Sequence, residues 1–326
     1  MRANTEWFKE SRWGVFLHYL ASPASSRELA EITSDDWNRQ VDSFDVEGLA
    51  AQLDAVGAKC LTFTLGQNSG YYCSPNATYD ALVGRKPSRC SQRDLIKDIY
   101  EALKPRGIKM LAYLPSHAPA MDVQAIEGLG CTPAWDAGLW GFKGNHKVLD
   151  GTDDRLSTFQ RNWEAIIREW SMRWGTNIVG WNLDGVYYAD TMYRHPDEPN
   201  FKSFAAAMKA GNPESIVAFN PGWVKFDVKP VTEYEDDTVG EGALSLPVCD
   251  REFVEGARYH ILSYLGEYWG QGTPRFLDEM VIGYTKQVNH FGGVVTWDVP
   301  VSTTGVIPQP YIEQLTKLNA ALTAQV

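Results

Sequence analysis

The sequence predicts a single (β/α)8 TIM-like barrel that spans residues 1–326. Its 326 residues are a length at which such barrels form one domain. Hydrophobic residues make up 44% and charged residues 22%, which suits an ordinary globular core. Eight short apolar runs alternate with longer amphipathic stretches, as the repeated βα units of this barrel require. A doubly wound open sheet is the structural alternative. The sequence has no G-x-G-x-x-G fingerprint and no P-loop, which disfavours the nucleotide-binding form of that sheet.

The expected strands are continuous runs of apolar and β-branched residues, the pattern of parallel strands that are buried on both faces. In chain order they cover residues 15–20, 60–65, 108–114, 178–183, 215–219, 231–234, 260–265 and 293–297. In a barrel all of them end at the same rim, and the catalytic groups of barrel enzymes lie at that rim.

The expected helices lie between these runs. Residues 46–56 are amphipathic, with Asp45 as an N-cap and Gly57 just past the end. Residues 93–104 follow Ser91, a second N-cap candidate. The remaining expected helices cover residues 158–174, 201–210, 275–289 and 311–323.

Charge and composition exclude several classes of protein. The net charge of -11 argues against a nucleic-acid binder, which needs a basic face. No apolar run approaches the roughly 20 residues of a membrane span. Residues 1–6 show no apolar signal segment, so we expect a cytoplasmic protein, although removal of a signal peptide would leave the same start. The five cysteines are odd in number and scattered, which favours reduced thiols over disulfides or a zinc site.

Polar and aromatic side chains cluster at the expected carboxyl ends of the strands. Two carboxylates that flank one bond are the groups that glycoside hydrolysis uses, one ionised as nucleophile and the other protonated with a raised pKa. The candidates for catalysis and sugar binding, in chain order, are His18, Gln67, Asn68, Tyr71, Asn182, Asp184, Tyr187, Asn220, Glu233, Glu235, Glu241, Glu267, Trp269, Trp297 and Asp298.

Asp184 is the sharpest of these candidates. It follows the apolar run 178–183 and precedes Gly185, which permits a tight turn. A buried aspartate at that point costs free energy unless it is paired or hydrogen-bonded. The alternative is a helix N-cap in the loop after the fourth strand.

The other candidates have structural alternatives of their own. The acidic run 233–237 is either catalytic, a solvated loop or an oxygen-ligand calcium site, although it lacks EF-hand spacing. His18 is either functional or a satisfied core histidine. Tyr71, Tyr187, Trp269 and Trp297 are either walls of a sugar site or parts of the core. The histidines form no H-E-x-x-H pattern and G-x-S-x-G is absent, so neither a zinc mechanism nor a serine hydrolase is expected.

Five segments together resemble the α-L-fucosidases of glycoside hydrolase family 29. Residues 7–19, WFKESRWGVFLHY, resemble that family's first-strand motif. Residues 44–59 and 93–109 resemble its first two helices leading into strands two and three, and residues 181–185, WNLDG, resemble its nucleophile strand. Residues 292–308 resemble the closing motif before the last barrel helix. The resemblance spans nearly the whole chain.

This resemblance implies a barrel enzyme that works by a retaining double displacement and needs no cofactor or metal. By the same resemblance, Asp184 is the nucleophile and His18 contacts sugar hydroxyls. Glu233 is the best match to the family's general acid/base, with Glu235, Glu241 and Glu267 as alternatives.

The sequence also departs from the family at the substrate site. The family usually has His-His-Asp-Gly-Phe after strand two, where this chain has Gln67-Asn68-Ser69-Gly70-Tyr71. Amides donate and accept hydrogen bonds but never become cationic. An arginine that often follows strand five is replaced by Asn220-Pro221-Gly222-Trp223, and the family's C-terminal β-sandwich has no counterpart. A sugar other than plain L-fucose is therefore an open possibility, because buried polar groups select the sugars that pair with them.

The sequence thus predicts a retaining exo-glycosidase that takes a carbohydrate substrate and binds neither nucleic acid nor membrane. Two alternatives remain. The first is an inverting hydrolase or a sugar lyase on the same barrel. The second is an inactive barrel that only binds carbohydrate.

Overall fold

Eight parallel strands form one sheet that curls into a barrel in the computed structural model, which describes residues 2–24, 26, 31–131, 155–186, 192–220, 228–242 and 245–324. The strands are β1 (Trp13–Leu17), β2 (Cys60–Thr64), β3 (Lys109–Pro115), β4 (Ile178–Asp184), β5 (Ile216–Phe219), β6 (Gly240–Glu241), β9 (His260–Tyr264) and β10 (Val294–Val299). Their order is β5-β4-β3-β2-β1-β10-β9-β6. The pairing of β1 with β10, the first and last strands of the chain, gives the sheet the connectivity of the predicted TIM-like barrel.

Seven of the eight expected strands overlap observed ones, and the sixth prediction is wrong. Residues 231–234 form a turn, because Glu235 folds its carboxylate back onto the Thr232 N–H at 2.7 Å. The sixth strand is instead β6, Gly240–Glu241, a two-residue pairing with β9. A glycine and a glutamate form no apolar run, so the sequence pattern does not predict a strand at β6 and favours the β-branched residues upstream instead. A short antiparallel hairpin, β7 (Phe253–Val254) and β8 (Ala257–Arg258), lies between β6 and β9.

The helices lie between the strands close to their predicted positions. Asp45 caps α3 as predicted, accepting a hydrogen bond from the Gly48 N–H. The α5 helix is capped by Asp94 rather than by Ser91. The described helices are α1 (Glu6–Ser11), α2 (Ser34–Asp42), α3 (Val46–Ala55), α4 (Ala77–Val83), α5 (Leu95–Leu103), α6 (Val123–Leu129), α7 (Ser157–Trp174), α8 (Phe201–Met208), α9 (Asp278–His290) and α10 (Gln309–Thr323). Within the described ranges, no helix has the length and apolarity needed to cross a bilayer.

The barrel interior is filled by side chains from alternate strands. Phe16 of β1, Tyr113 of β3, Ala218 of β5 and Leu262 of β9 form one buried cluster. Four residues from alternate strands are the usual composition of a layer in this fold. This layer blocks the barrel below the rim, so any chemistry is confined to the carboxyl ends of the strands.

The amino-terminal end of the barrel is closed by α1. Phe8 of this helix packs with Cys60, Leu111 and Ile216, which lie near the starts of their strands. Its ring also meets the His260 ring edge-on, with centroids 4.8 Å apart. The open end of the barrel is therefore the opposite one, at the carboxyl ends of the strands.

Most of the tryptophans in the described ranges belong to the layer between strands and helices. Trp163, Trp170 and Trp174 of α7 are all buried, and Trp174 stacks on Trp181 of β4 at 6.0 Å. The indole N–H of Trp163 donates to the Pro115 carbonyl at 3.0 Å. Much of the aromatic content thus serves packing rather than ligand binding.

The gap between β5 and β6 is filled by residues 235–237, here called the seam segment. The Asp236 N–H donates to the Val217 carbonyl of β5 at 2.8 Å, and the Asp236 carboxylate accepts from the Val217 N–H at 2.8 Å. Glu235 accepts from the Phe219 N–H at 2.8 Å. On its other side, the Asp236 carbonyl accepts from the Arg258 N–H at 3.0 Å. The seam segment therefore replaces a strand along the exposed edge of β5.

The charges of the seam segment are paired inside the protein. Asp236 accepts from the Lys209 ammonium at 2.7 Å and from the Ala3 N–H at 2.6 Å. Asp237 lies 2.7 Å from the His260 Nδ1. Buried carboxylates are tolerated only when they are paired and hydrogen-bonded in this way. These contacts fix the seam segment as a structural element.

We predict that Asp236→Asn destabilises the fold by about 3 kcal/mol, because the amide nitrogen would face the N–H donors and leave Lys209 without its partner. Urea unfolding measures the change in the free energy of unfolding. Asp250→Asn is the control, because the exposed Asp250 pairs only with its neighbour Arg251, and we expect no measurable change there. Equal stability of Asp236→Asn and wild type would contradict the structural role of the seam segment.

Candidate active site

Six polar side chains meet at the carboxyl ends of the strands, and we call them the polar cup. They are His18, Tyr113, Asp184, Asn220, Glu241 and Asp298. Parallel pairing places residues in register on the same side of the sheet, and Tyr113 is in register with Asn182, two residues before Asp184. Because side chains alternate along a strand, Asp184 faces the interior as Tyr113 does. Sequence-predicted candidates supply five of the six members.

Asp184 is the last residue of β4 and is held on both oxygens. The Tyr113 hydroxyl donates to Oδ2 at 2.7 Å, and the Asn220 amide donates to Oδ1 at 2.8 Å. Gly185 adopts a φ of +75°, so the predicted tight turn directly follows the carboxylate. Burial raises the pKa of Asp184, and hydrogen bonds from the Tyr113 hydroxyl and the Gly185 N–H partly offset this effect.

Glu241 lies beside Asp184 through a shared donor. The Asn220 Nδ2 that donates to Asp184 also lies 3.1 Å from the Glu241 Oε2. Since the two oxygens lie 2.8 Å and 3.1 Å from one nitrogen, they are at most about 5.9 Å apart. Burial and the nearby Asp184 carboxylate raise the pKa of Glu241 to about 8, against the hydrogen bonds from Asn220 and Trp269.

The two carboxylates are therefore not equivalent. Asp184 accepts hydrogen bonds from the Tyr113 hydroxyl and the Gly185 N–H, and both favour its ionised form. Burial and the Asp184 carboxylate raise the pKa of Glu241 to about 8, so its protonated form predominates at neutral pH. A pair of carboxyl groups whose surroundings separate their pKa values is the arrangement that acid/base catalysis uses.

His18 is fixed by the buried Asp298. Its Nδ1 lies 2.7 Å from the Asp298 Oδ1, and the Gly270 N–H donates to the Asp298 Oδ2 at 2.6 Å. Because a carboxylate only accepts, the hydrogen lies on Nδ1, and Nε2 is the ring atom left to contact a ligand. Burial raises the pKa of Asp298, partly offset by His18. The Trp269 ring lies 5.7 Å from the His18 ring and forms one wall of the polar cup.

Two members of this region were not singled out by sequence analysis. Tyr113 lies inside an apolar run, and only the alternation along β3 would have placed it on the inner face. The other is His117, which belongs to no sequence pattern that indicates a function. It is buried, which lowers its pKa, and the nearby Asp184 opposes that shift.

Three of the predicted acids lie away from the polar cup. Glu233, the sequence-based match to the acid/base, is exposed and lines a surface cleft of about 500 Å³ together with Arg194 and Tyr234. Glu235 belongs to the seam segment. Glu267 is exposed and accepts a hydrogen bond from the Thr273 hydroxyl. Among the acids considered for that role, the structure brings Glu241 alone to Asp184 within the described ranges.

The remaining candidates are placed as follows. Gln67 contacts the polar cup only through Tyr113, to which it donates at 2.8 Å. Asn68 and Asn182 are buried. The Tyr71 hydroxyl donates to the Ile32 carbonyl, outside the polar cup.

Trp297 is fully buried on the outer face of β10, where its N–H donates to Thr285 of α9. Tyr187 and residues 221–223 lie outside the described residues. Over the described ranges, no three histidine, cysteine, aspartate or glutamate side chains group as a metal site would.

No protein-family model matches the chain, and no curated protein matches it in sequence. Solved structures do match in fold. An α-L-fucosidase, AlfC from Lactobacillus casei in complex with its α-L-fucose product, superimposes with a TM-score of 0.66 at 17% identity, covering 97% of this chain and 98% of that one. The α-L-fucosidase isoenzyme 1 from Paenibacillus thiaminolyticus gives 0.66 at 17% identity, covering 98% and 75%.

The endo-fucoidan hydrolase MfFcnA4 from glycoside hydrolase family 107 gives a TM-score of 0.67 at 17% identity, covering 95% of this chain. The chain spans 52% of that enzyme's length, about half. At these identities the likeness shows a shared fold, the TIM-like barrel described above.

We predict that Glu241→Gln becomes more stable than wild type as pH rises. Folded Glu241 has a pKa of about 8, against about 4.3 for an unfolded glutamate, so the folded chain retains a proton that the unfolded chain releases. Wild-type stability therefore falls between these two pH values, whereas glutamine has nothing to titrate. The difference in unfolding free energy should grow by on the order of 2–4 kcal/mol from pH 5 to pH 8.

Thermal and urea unfolding at several pH values measure this difference, and Glu233→Gln at an exposed position outside the polar cup is the matched control. A difference between Glu241→Gln and wild type that is independent of pH would show that Glu241 is not protonated in the folded chain.

Proposed function

We propose that the chain is a retaining exo-glycoside hydrolase, with Asp184 as nucleophile and Glu241 as general acid/base. The observation that carries the proposal is the Asn220 amide that donates to both carboxylates and keeps their nearest oxygens within about 5.9 Å. Retaining enzymes place the two carboxyl groups about 5–5.5 Å apart, and inverting enzymes about 6.5–9.5 Å apart. The short distance between these two oxygens supports retention over inversion.

In the first step, a carboxylate oxygen of Asp184 attacks the anomeric carbon. The bond to the leaving oxygen breaks as Glu241 gives that oxygen its proton, and a covalent glycosyl-enzyme remains. In the second step, ionised Glu241 takes a proton from water, whose oxygen attacks the same carbon. The sugar leaves with its original anomeric configuration, Asp184 is released as a carboxylate and Glu241 is protonated again.

The chemistry of the polar cup favours an uncharged sugar. Asp184 and Asp298 make it acidic, so a uronic acid or a sulfated ring would be repelled at the point of attack. His18 presents Nε2 to sugar hydroxyls, and Trp269 offers an aromatic face to the apolar side of a ring. The resemblance to family 29 and the names of the structural neighbours support an α-L-fucoside or a closely related sugar.

The departures from family 29 support a change of sugar rather than a loss of activity. Gln67 and Asn220 bind Tyr113 and the two carboxylates, so each substitution is built into the polar cup instead of leaving a gap. Both carboxylates and the histidine that the mechanism needs are present. An inactive barrel would have no reason to keep a protonated glutamate beside an aspartate.

We predict that wild type releases p-nitrophenol from one member of a panel of aryl glycosides comprising α-L-fucoside, α-L-galactoside, β-D-arabinoside and α-L-rhamnoside. Asp184→Asn should lower kcat at least about 1,000-fold, because the nucleophile is lost. Proton NMR of the first product should show the anomer of the substrate, as retention requires.

The acid/base is identified by azide rescue in the same assay. Glu241→Ala should turn over an activated aryl glycoside slowly, and azide should restore the rate and yield a glycosyl azide of retained configuration. Glu233→Ala is the matched control and should behave as wild type without azide. Rescue of Glu233→Ala alone would transfer the acid/base role to that residue, and an inverted product would overturn the mechanism.

A further inference from the structure

We propose that Gln67, acting through Tyr113, is a positioning residue for Asp184. Its side-chain amide fixes the direction of the Tyr113 hydroxyl, which then donates permanently to the Asp184 carboxylate. The segment after β2 would thus serve the nucleophile rather than the sugar. The catalytic consequence rests on the proposed function, whereas the positioning itself does not.

Two hydrogen bonds form the relay. The Gln67 Nε2 lies 2.8 Å from the Tyr113 Oη, and the Tyr113 Oη lies 2.7 Å from the Asp184 Oδ2. An ionised carboxylate offers no hydrogen, so Tyr113 must donate to Asp184. The phenol has one hydrogen, so its oxygen accepts from Gln67, and the amide must present its NH2 group. The chain of donors runs in one direction and ends on the ionised form of Asp184.

The relay lies where hydrogen bonds are strong. Gln67 is 8% exposed and Tyr113 is 2% exposed. In such surroundings the effective dielectric constant is low, and consecutive hydrogen bonds polarise one another. The Tyr113 ring is also held in place by Phe16, 5.0 Å away, and by His18, 5.7 Å away. The ring is therefore held in place, and rotation of the hydroxyl hydrogen about the C–O bond is the freedom that the Gln67 amide restricts.

The backbone around Gln67 is equally constrained. The Leu65 N–H donates to the Tyr113 carbonyl at 3.0 Å, which ties the end of β2 to β3 at the relay itself. The Gln67 carbonyl accepts from the Gly70 N–H at 3.2 Å, and Gly66 pairs with Tyr72. A side chain on a turn this closely bonded keeps one orientation, as a positioning role requires.

The relay also explains why a neutral amide suits position 67. A histidine there, as in the resembled family, would be able to take up a proton close to Asp184. Glutamine donates the same hydrogen bond and never gains charge. The Asn220 amide donates to the other oxygen of Asp184, so both oxygens accept hydrogen bonds from neutral donors.

The relay is tested by titrating Asp184 directly, with protein labelled with ¹³C at the aspartate carboxyl carbon. The spectrum of Asp184→Asn identifies the Asp184 resonance by its absence. Tyr113→Phe removes the last donor and should raise the pKa of Asp184 by about one unit. Gln67→Leu keeps the approximate shape but removes the amide. The Tyr113 hydroxyl hydrogen is then free to rotate about the C–O bond, which should raise the pKa of Asp184 by about half a unit. The acidic limb of the kcat/KM profile against pH should move by the same amounts.

Tyr71→Phe is the matched control, because it removes a phenol hydrogen bond of 2.7 Å from the same loop without touching the polar cup. Its Asp184 pKa should equal that of wild type. An unchanged pKa in Gln67→Leu would overturn the role of Gln67, and an unchanged pKa in Tyr113→Phe would overturn the relay. The titration needs no turnover, so a wild type that hydrolyses no glycoside would refute the proposed function and leave this result intact.

Discussion

The site depends on how the barrel is closed between β5 and β6. These strands share no ladder, and the seam segment supplies the missing partners through carboxylates that accept the backbone N–H groups of Val217 and Phe219. Asn220 follows β5 directly, and Glu241 ends β6, a few residues past the seam segment. A single side chain, Asn220, then spans from β4 to β6 and contacts both catalytic candidates. The separation of Asp184 and Glu241 is therefore a consequence of the way in which the seam is bridged.

Two pairs of buried carboxylates among the described residues differ in their hydrogen-bond partners. The carboxylates of Glu235 and Asp236 accept hydrogen bonds from backbone N–H groups, and Asp236 also binds Lys209. These contacts hold the seam segment in the fold. The carboxylates of Asp184 and Glu241 lie close together and accept hydrogen bonds from the same neutral donor, the Asn220 amide. Lys209 and backbone N–H groups offset the cost of burying the Asp236 charge, whereas burial raises the pKa values of Glu235, Asp184 and Glu241. Glu241, with a pKa raised to about 8 beside Asp184, can exchange a proton near neutral pH.

The sequence predicted the features that depend on local pattern. Apolar runs located seven strands, and Asp184 was identified because an acid between an apolar strand and Gly185 is unusual. It did not predict β6, where two residues without apolar character join the sheet only because β9 offers an edge. It matched the acid/base to Glu233, which lies in an exposed turn, and kept Glu241 as one alternative without showing that Glu241 is the acid that lies close to Asp184. Such a contact between distant segments leaves no trace in spacing.

The side chain at position 220 affects which of the two carboxyl groups is protonated. An arginine at this position would place a permanent positive charge between Asp184 and Glu241 and lower both pKa values, so that both carboxylates would be ionised at neutral pH. Asn220 makes the same bridging contacts without charge, and the repulsion between the two carboxylates is relieved by a proton on Glu241 instead. In the proposed mechanism, this neutral bridge leaves on Glu241 the proton that the departing oxygen takes. In the same proposal, His18 and neutral amides recognise the substrate hydroxyls, so the sugar would differ from that of family 29 while the reaction stays the same.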